Sequence, residues 1–403
     1  MSNADSPSRF QGNFTQQEAI PEAAIEKAVE VMRSGRLHRY NVASANELSE
    51  TALLETEYAQ YQNTQYALAL ASGGYAIQTA LRAVNVQPGE PVLSNAFTLS
   101  PVPGAIDAVG GKPVLIDTTS DLVIDLEHLE DQAKNSNTNT LLLSHMRGHI
   151  ADMDAVVAIC KRHNLTLIED CAHTMGATFN GIKSGNHGDL ACFSTQTYKH
   201  LNSGEGGFIT SNNAELMAKC VVLSGSYMLF ERHSAAPAAD VFDRIKLHTP
   251  NCSGRMDNLR AAILRPQLQQ LDKNCERWNK RYRIIMETLA TCNAMVLPKV
   301  HPLAKEVSSS FQFSVPAFTD AQNHAFLQSC LNRGVEIKWF GAAEPVAYTS
   351  RYDSWKYVDT VDLNNTNEVL SRLYDCRIPL TFSVNDCAHI ARIVSEEAQR
   401  ILA

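Results

Sequence analysis

The chain has 403 residues, enough to bury a sizeable core and, at about 100–200 residues per domain, to build two or three domains. Its 35 Lys and Arg against 43 Asp and Glu leave a net charge of −8, which gives no electrostatic footing for nucleic acid or an anionic membrane surface. The ten cysteines form no C-x-x-C pair and no stretch approaches ~18 uninterrupted apolar residues, so the expectation is a cytoplasmic protein with reduced thiols, no membrane segment, no metal site and small-molecule partners.

Residues 1–15 read as a loose, polar arm without the apolar core of a secretion signal. AIPEAAIEKAVEVMRSG (19–35) then carries apolar residues at helical spacing, with Pro21 near its start and Gly35 as its stop, and predicts one amphipathic helix. From about 52 to 265, short β-rich runs alternate with helical stretches. YALALAS leads to a helix from Ala76, PVLSN to a helix from Ser100, then come PVLID, TLLLSH, a helix from Asp152, LTLIED, LACFS and GFITS. This alternation predicts an α/β fold with a mostly parallel sheet wrapped by helices. Residues 257–289 predict a long helix interrupted near Pro266. Beyond it, SSSFQFSVPA and GVEIKWF as strands, with helices at about 320–332 and 385–402, suit a smaller α+β domain. The expected organisation is an N-terminal arm and helix (1–50), a large α/β domain (51–265), and a linker helix with a small C-terminal domain (266–403).

The stretch 165–211, LTLIEDCAHTMGATFNGIKSGNHGDLACFSTQTYKHLNSGEGGFITS, carries the chemistry. A buried strand ends in Glu169-Asp170, and acids at the carboxyl end of a parallel strand point into the crevice where α/β proteins bind ligands. A second strand, LACFS, then delivers Lys199 on a loop followed by Gly204, Gly206 and Gly207. Each feature alone is commonplace, as a helix cap or a solvated loop lysine. Together, an acid for a ring nitrogen and a lysine for a Schiff base are what pyridoxal phosphate chemistry requires. Ser72-Gly73-Gly74-Tyr75 adds a turn at a helix start, where glycine allows close approach and free N–H groups attract a phosphate. His145 and His149 with Asp152 and Asp154 have a spacing that could ligate a metal, but a strand end and Gly148 between them favour a structural role.

From residue 30 to about 270, and more weakly to the C-terminus, the chain resembles the DegT/DnrJ/EryC1/StrS family of aminotransferases. The resemblance rests on ALASGGYAIQTAL (69–81), VLSNAFTLSPVPGAIDAVGGKPVLID (92–117), SHMRGHIADMD (144–154), IEDCAHTMGATFNG (168–181), GDLACFS (188–194), KHLNSGEGGFITS (199–211) and GRMDNLRAAIL (254–264). It implies a fold-type I pyridoxal-phosphate enzyme with a large α/β/α domain and a smaller α+β domain. It implies Lys199 as the Schiff-base lysine, Asp170 as the pyridinium partner and His173 near the cofactor's 3′-oxygen. Gly73, Gly74, Tyr75 and Ser194 fall at the phosphate cradle and Leu99 at the place of the ring that usually stacks on the cofactor. It also implies a homodimer whose partner chain completes the site; in PNCSGRM (250–256) Ser253 takes the usual asparagine slot, which leaves Asn251 as the candidate.

Departures from the family pattern bear on substrate. The residues before the lysine are Thr195-Gln196-Thr197, which puts Gln196 where an imidazole is usual. Arg36, His38 and Arg39 add positive charge near the expected mouth, and Tyr227 begins another candidate contact segment. Added cations suggest a substrate bearing carboxylate or phosphate. The resemblance implies transfer of an amino group from glutamate or glutamine to a keto sugar, keto cyclitol or related ketone. A dehydratase on the same fold, which typically replaces the lysine with histidine, and a non-catalytic cofactor- or sugar-binding protein are the alternatives.

Overall fold

The computed structural model describes residues 8–44, 46–359 and 361–403. Seven five-residue strands build the central sheet: β1 (Tyr66–Leu70), β2 (Pro91–Asn95), β3 (Lys112–Ile116), β4 (Thr140–Ser144), β5 (Thr166–Asp170), β6 (Leu190–Ser194) and β7 (Gly207–Ser211). Across the sheet they lie in the order β1-β7-β6-β5-β4-β2-β3, with β7 antiparallel to both neighbours and the rest parallel. Helices cover both faces, so every residue of β4, β6 and β7 is buried, and the strands read as unbroken apolar runs with no polar alternation.

Register places the carboxyl ends of β4, β5 and β6 side by side: Ser144 pairs with Asp170, and Asp170 with Cys192. The helix after β1 starts at Gly73, earlier than the Ala76 of the sequence pattern, because Ser72 caps it by accepting from the Tyr75 N–H at 3.1 Å. Its N-terminus opens onto the same edge of the sheet.

The helix expected over 257–289 is two helices, Asn258–Leu268 and Leu271–Leu289. Pro266 sits within the first, and the chain turns just after it at Gln269–Gln270. The second helix packs against Val384–Leu402. A second sheet contains β8 (Ser310–Ser314), β9 (Lys338–Trp339) and β10 (Leu373–Arg377), in the antiparallel order β8-β10-β9. Its central strand, LYDCR, was not among the predicted strands, because two charged residues in five hide its apolar pattern. The helices Asp320–Asn332 and Val384–Leu402 fall close to their predicted ranges, each opened by a capping box.

The described part of the arm is not loose. Phe10 and Phe14 are buried with ring centroids 4.9 Å from Phe382, which clamps the arm onto the small sheet's side of the molecule. Among the described residues no helix is long and apolar enough to cross a membrane.

Candidate active site

The carboxyl edge of the large sheet and the small sheet enclose a cavity of about 490 Å³. Its large-domain wall includes Gly73, Gly74, Leu99, Asp170, His173, Ser194, Gln196 and Lys199. Eight residues singled out from the sequence thus meet around one space, although they come from four separate stretches of chain.

Asp170 ends β5 and is buried. The pleat sends Glu169 to the opposite face, where its carboxylate accepts from His145 at 3.0 Å and from the N–H groups of Gly185, His187 and Gly188. Asp170 instead faces the cavity, held by the Ser144 hydroxyl at 2.9 Å and the Ala172 N–H at 3.1 Å. Thr98 donates in turn to the Ser144 hydroxyl at 2.9 Å. Burial pushes the Asp170 carboxyl above its ordinary range; the Ser144 and Ala172 hydrogen bonds and the charge of Lys199 oppose this without cancelling it.

Lys199 Nζ lies 2.9 Å from His173 Nε2. Burial lowers the lysine to about 7, the charges of Arg147 and Arg377 push the same way, and Asp170 opposes them. His173 is held well below its ordinary value, first by burial and then by Lys199 and Arg147, so it stays neutral. At the other end, Ser72 takes only the Tyr75 N–H of the four donors that a helix start leaves unpaired. Gly73 admits Ser194: a Cβ on Gly73 would stand 2.8 Å from the serine Cβ. This cradle suits a phosphate, the buried acid suits a protonated ring nitrogen, and the depressed amine suits an aldehyde. The residues fit pyridoxal phosphate.

Other expected site residues lie elsewhere. Arg39 is 1 % exposed and forms a paired bond to Glu55, at 2.9 and 2.8 Å, with His233 Nδ1 3.0 Å from the same guanidinium. Glu55 also accepts from the Ala69 N–H of β1, so Arg39 ties the N-terminal segment to the sheet and is not at the cavity mouth. Arg36 and His38 do not line the cavity either. Burial raises the Glu55 carboxyl, but Arg39 and His233 outweigh it and hold it at about 2. Glu55→Gln is expected to cost about 3–5 kcal/mol by stranding a buried guanidinium, read as a lower Tm at neutral pH. The pair stabilises fully above the ordinary carboxyl value of 4.5 and loses that contribution as pH falls toward 2.

The Tyr75 side chain also points away, packing over Gly254, so only its backbone belongs to the cradle. Asn251 is exposed and accepts from the Ser253 N–H at 3.0 Å, and Tyr227 is 59 % exposed with Arg255 over its ring at 4.9 Å; neither lines this chain's cavity. His145 and His149 diverge, the second pairing with Gln312 at 2.9 Å, while Asp152 caps a helix. The sequence reading missed Ser144, Arg147, Trp278, Tyr348 and Arg377, all in the cavity wall.

A model of the DegT/DnrJ/EryC1/StrS aminotransferase family matches residues 19–395. The chain belongs to this family. Among family relatives it is 34% identical over 251 residues to a pleiotropic regulatory protein of Geobacillus stearothermophilus, covering 61% of this chain and 63% of the relative. It is likewise 34% identical over 221 residues to a GDP-perosamine synthase of Caulobacter vibrioides, covering 55% and 56%. The match thus spans less than two thirds of either relative's length. The fold superposes on the crystal structure of an aminotransferase from Streptoalloteichus hindustanus with a TM-score of 0.82, over 98% of this chain and 100% of that one, at 18% identity. The fold is therefore that of the fold-type I enzymes.

Proposed function

We propose that the protein is a pyridoxal-phosphate-dependent aminotransferase moving an amino group from glutamate or glutamine to a keto sugar, keto cyclitol or related ketone. One observation carries the reading: a lysine amine lowered to about 7 shares one cavity with a buried aspartate and a glycine-lined helix start. Membership of an aminotransferase family and likeness to a GDP-perosamine synthase support the reaction type and a sugar-like acceptor.

Bound here, pyridoxal phosphate supplies an electron sink for charge developing at the substrate α-carbon. The chain's own residues do the rest. Gly73, Gly74 and Ser194 would receive the phosphate, and Asp170, steadied by Ser144 and Ala172, would face the ring nitrogen as its acidic partner. Lys199 Nζ would hold the cofactor and, as a free amine, would move the proton at the substrate α-carbon. Neutral His173, hydrogen-bonded to Lys199 Nζ, orients it. Leu99, Trp278, Ile378 and Pro379 keep bulk water from the reacting atoms.

A second copy of the chain completes the site in this reading. Asn251 and the exposed Tyr227, Met228 and Leu229 form the surface offered to it. Ten cysteines without a disulfide suit a cytoplasmic enzyme.

Two measurements test the reading. Adding pyridoxal phosphate is expected to give the visible band of a lysine-bound cofactor, which L-glutamate or L-glutamine bleaches; a protein showing no band refutes the proposal. Capture needs the neutral amine, so its rate should rise with pH up to about 7 and level off above it, whereas a lysine at its ordinary 10.5 would keep gaining across the whole range.

A further inference from the structure

Asp170 sits between two strand neighbours. Register sets Ser144 of β4 on one side and Cys192 of β6 on the other, and partners across a parallel ladder turn their side chains to the same face. Burial keeps Cys192, and Cys171 next to the acid, as neutral thiols. Among the described residues Ser144 is the one side chain that donates to the carboxylate, at 2.9 Å on Oδ2, while the Ala172 N–H takes Oδ1 at 3.1 Å.

Ser144 is itself held at every polar atom. The Asn95 side chain, at the end of β2, acts as a piece of strand backbone. Its Oδ1 accepts from the Ser144 N–H at 2.8 Å, and its Nδ2 donates to the Ser144 carbonyl at 3.0 Å and to the Phe97 carbonyl at 2.9 Å. The Thr98 hydroxyl, in the bend after β2, donates to Ser144 Oγ at 2.9 Å. A hydroxyl that receives a proton on one side has its own proton to give on the other, and the acceptor it meets is Asp170 Oδ2. Asn95, Thr98 and Ser144 are all buried, so bulk water does not compete for these bonds.

The other influences on Asp170 are conditional. Burial raises its carboxyl; against burial the Ser144 bond acts most strongly, followed by the Ala172 N–H and then by the charges of Lys199 and His145. Lys199 lies at about 7, so its charge is partly lost at neutral pH. His145 Nε2 is turned to Glu169 at 3.0 Å on the far face, and His173 is neutral. Of the other charged groups in the cavity wall, Arg147 is engaged by Asp375, Arg377 lies over the Tyr198 ring, and Glu205 is exposed. The constant support of the carboxylate is therefore the pair of donors, and only one of them is a side chain.

We propose that Ser144, aimed by Thr98 and locked by Asn95, is a positioning residue that fixes Asp170 as a carboxylate and so decides where the proton shared with the cofactor's ring nitrogen rests. The proposal rests on the aminotransferase reading for the presence of that ring. A donor at Oδ2 stabilises the charged acid and not its neutral form, so the proton stays on the nitrogen. Without the donor the acid gains basicity, and the same proton passes from nitrogen to carboxylate, leaving both partners neutral.

Ser144→Ala and Thr98→Val remove the two hydroxyls separately. In the cofactor-loaded protein, NMR of pyridoxal phosphate isotope-labelled at its ring nitrogen reports where the proton sits. Wild type is expected to show a protonated nitrogen, and Ser144→Ala an equilibrium displaced by about 10–100-fold toward the unprotonated form, the range for a hydrogen bond to a charged group. Thr98→Val should displace it the same way by less, since the Ser144 hydroxyl remains but is no longer aimed. Adding Thr98→Val to Ser144→Ala should change nothing further, because Thr98 acts only through Ser144. In the apo protein, infrared difference spectra against Asp170→Asn follow the carboxyl directly, and its protonated band should appear at higher pH in Ser144→Ala than in wild type. An unchanged nitrogen signal in Ser144→Ala, an unaltered carboxyl titration in the apo variant, or additive effects of the two substitutions would each overturn the proposal. Failure of wild type to bind the cofactor removes the aminotransferase reading alone, because the apo titration still tests Ser144.

Discussion

Lys199→Ala is expected to lower amine transfer from L-glutamate or L-glutamine by at least about 10³-fold, within the range for losing a positioned acid–base group, and to abolish the visible band of the bound cofactor. Two roles fall on one atom. In the proposed reaction Nζ would both anchor the cofactor and carry the proton, and among the described residues no other amine lines the cavity to replace it. His173 Nε2, 2.9 Å away, cannot substitute: its depressed basicity makes it a poor proton acceptor at neutral pH. The cradle at Gly73, Gly74 and Ser194 is untouched, so the variant should still bind the cofactor noncovalently, as dialysis and fluorescence would show. Transfer within tenfold of wild type would exclude Lys199 from the reaction. Exogenous methylamine should restore part of the rate, because the missing function is a small neutral base.

Asp170→Asn is expected to reduce kcat by about 10²–10³-fold, comparable with removing one preorganised electrostatic partner from an active site. The asparagine keeps the size of the side chain, and Ser144 and Ala172 remain to hold it. What disappears is the negative charge that keeps the ring nitrogen protonated, and with it the electron-withdrawing power of the ring. Folding should not suffer. Without cofactor, the carboxyl is buried and raised, so its neutral amide should leave the Tm of the apo protein at or above that of wild type. Cofactor retention with slow turnover would separate an electronic role from a structural one. A variant with wild-type kcat would show that Asp170 does not govern the ring.

Much of this site is legible in the chain. A buried strand must end where its apolar run ends, so LTLIED and LACFS fix which residues emerge at the carboxyl edge of the sheet. The glycines after Ser72 and the glycine-rich turn after Lys199 mark close approach of backbone in the same way. These features depend on spacing within about ten residues, which periodicity records. They suffice to bring Asp170, His173, Ser194 and Lys199 into one argument.

The charged residues of the substrate half are decided differently. Arg36, His38 and Arg39 carry the visible cluster of cations, yet Arg39 is spent on Glu55 and His233 inside the protein. Arg147 and Arg377 stand alone in their segments, one in a turn with positive φ and the other in a strand masked by its own charges. Only folding gives Arg147 the carboxylate of Asp375 and, among the described residues, withholds one from Arg377. Strand ends and helix starts are therefore written locally, by the alternation of apolar and turn residues. Whether a cation is neutralised or left facing a cavity depends on which distant acid it meets, and that is fixed by tertiary packing because charge pairing acts across space and has no period in the chain.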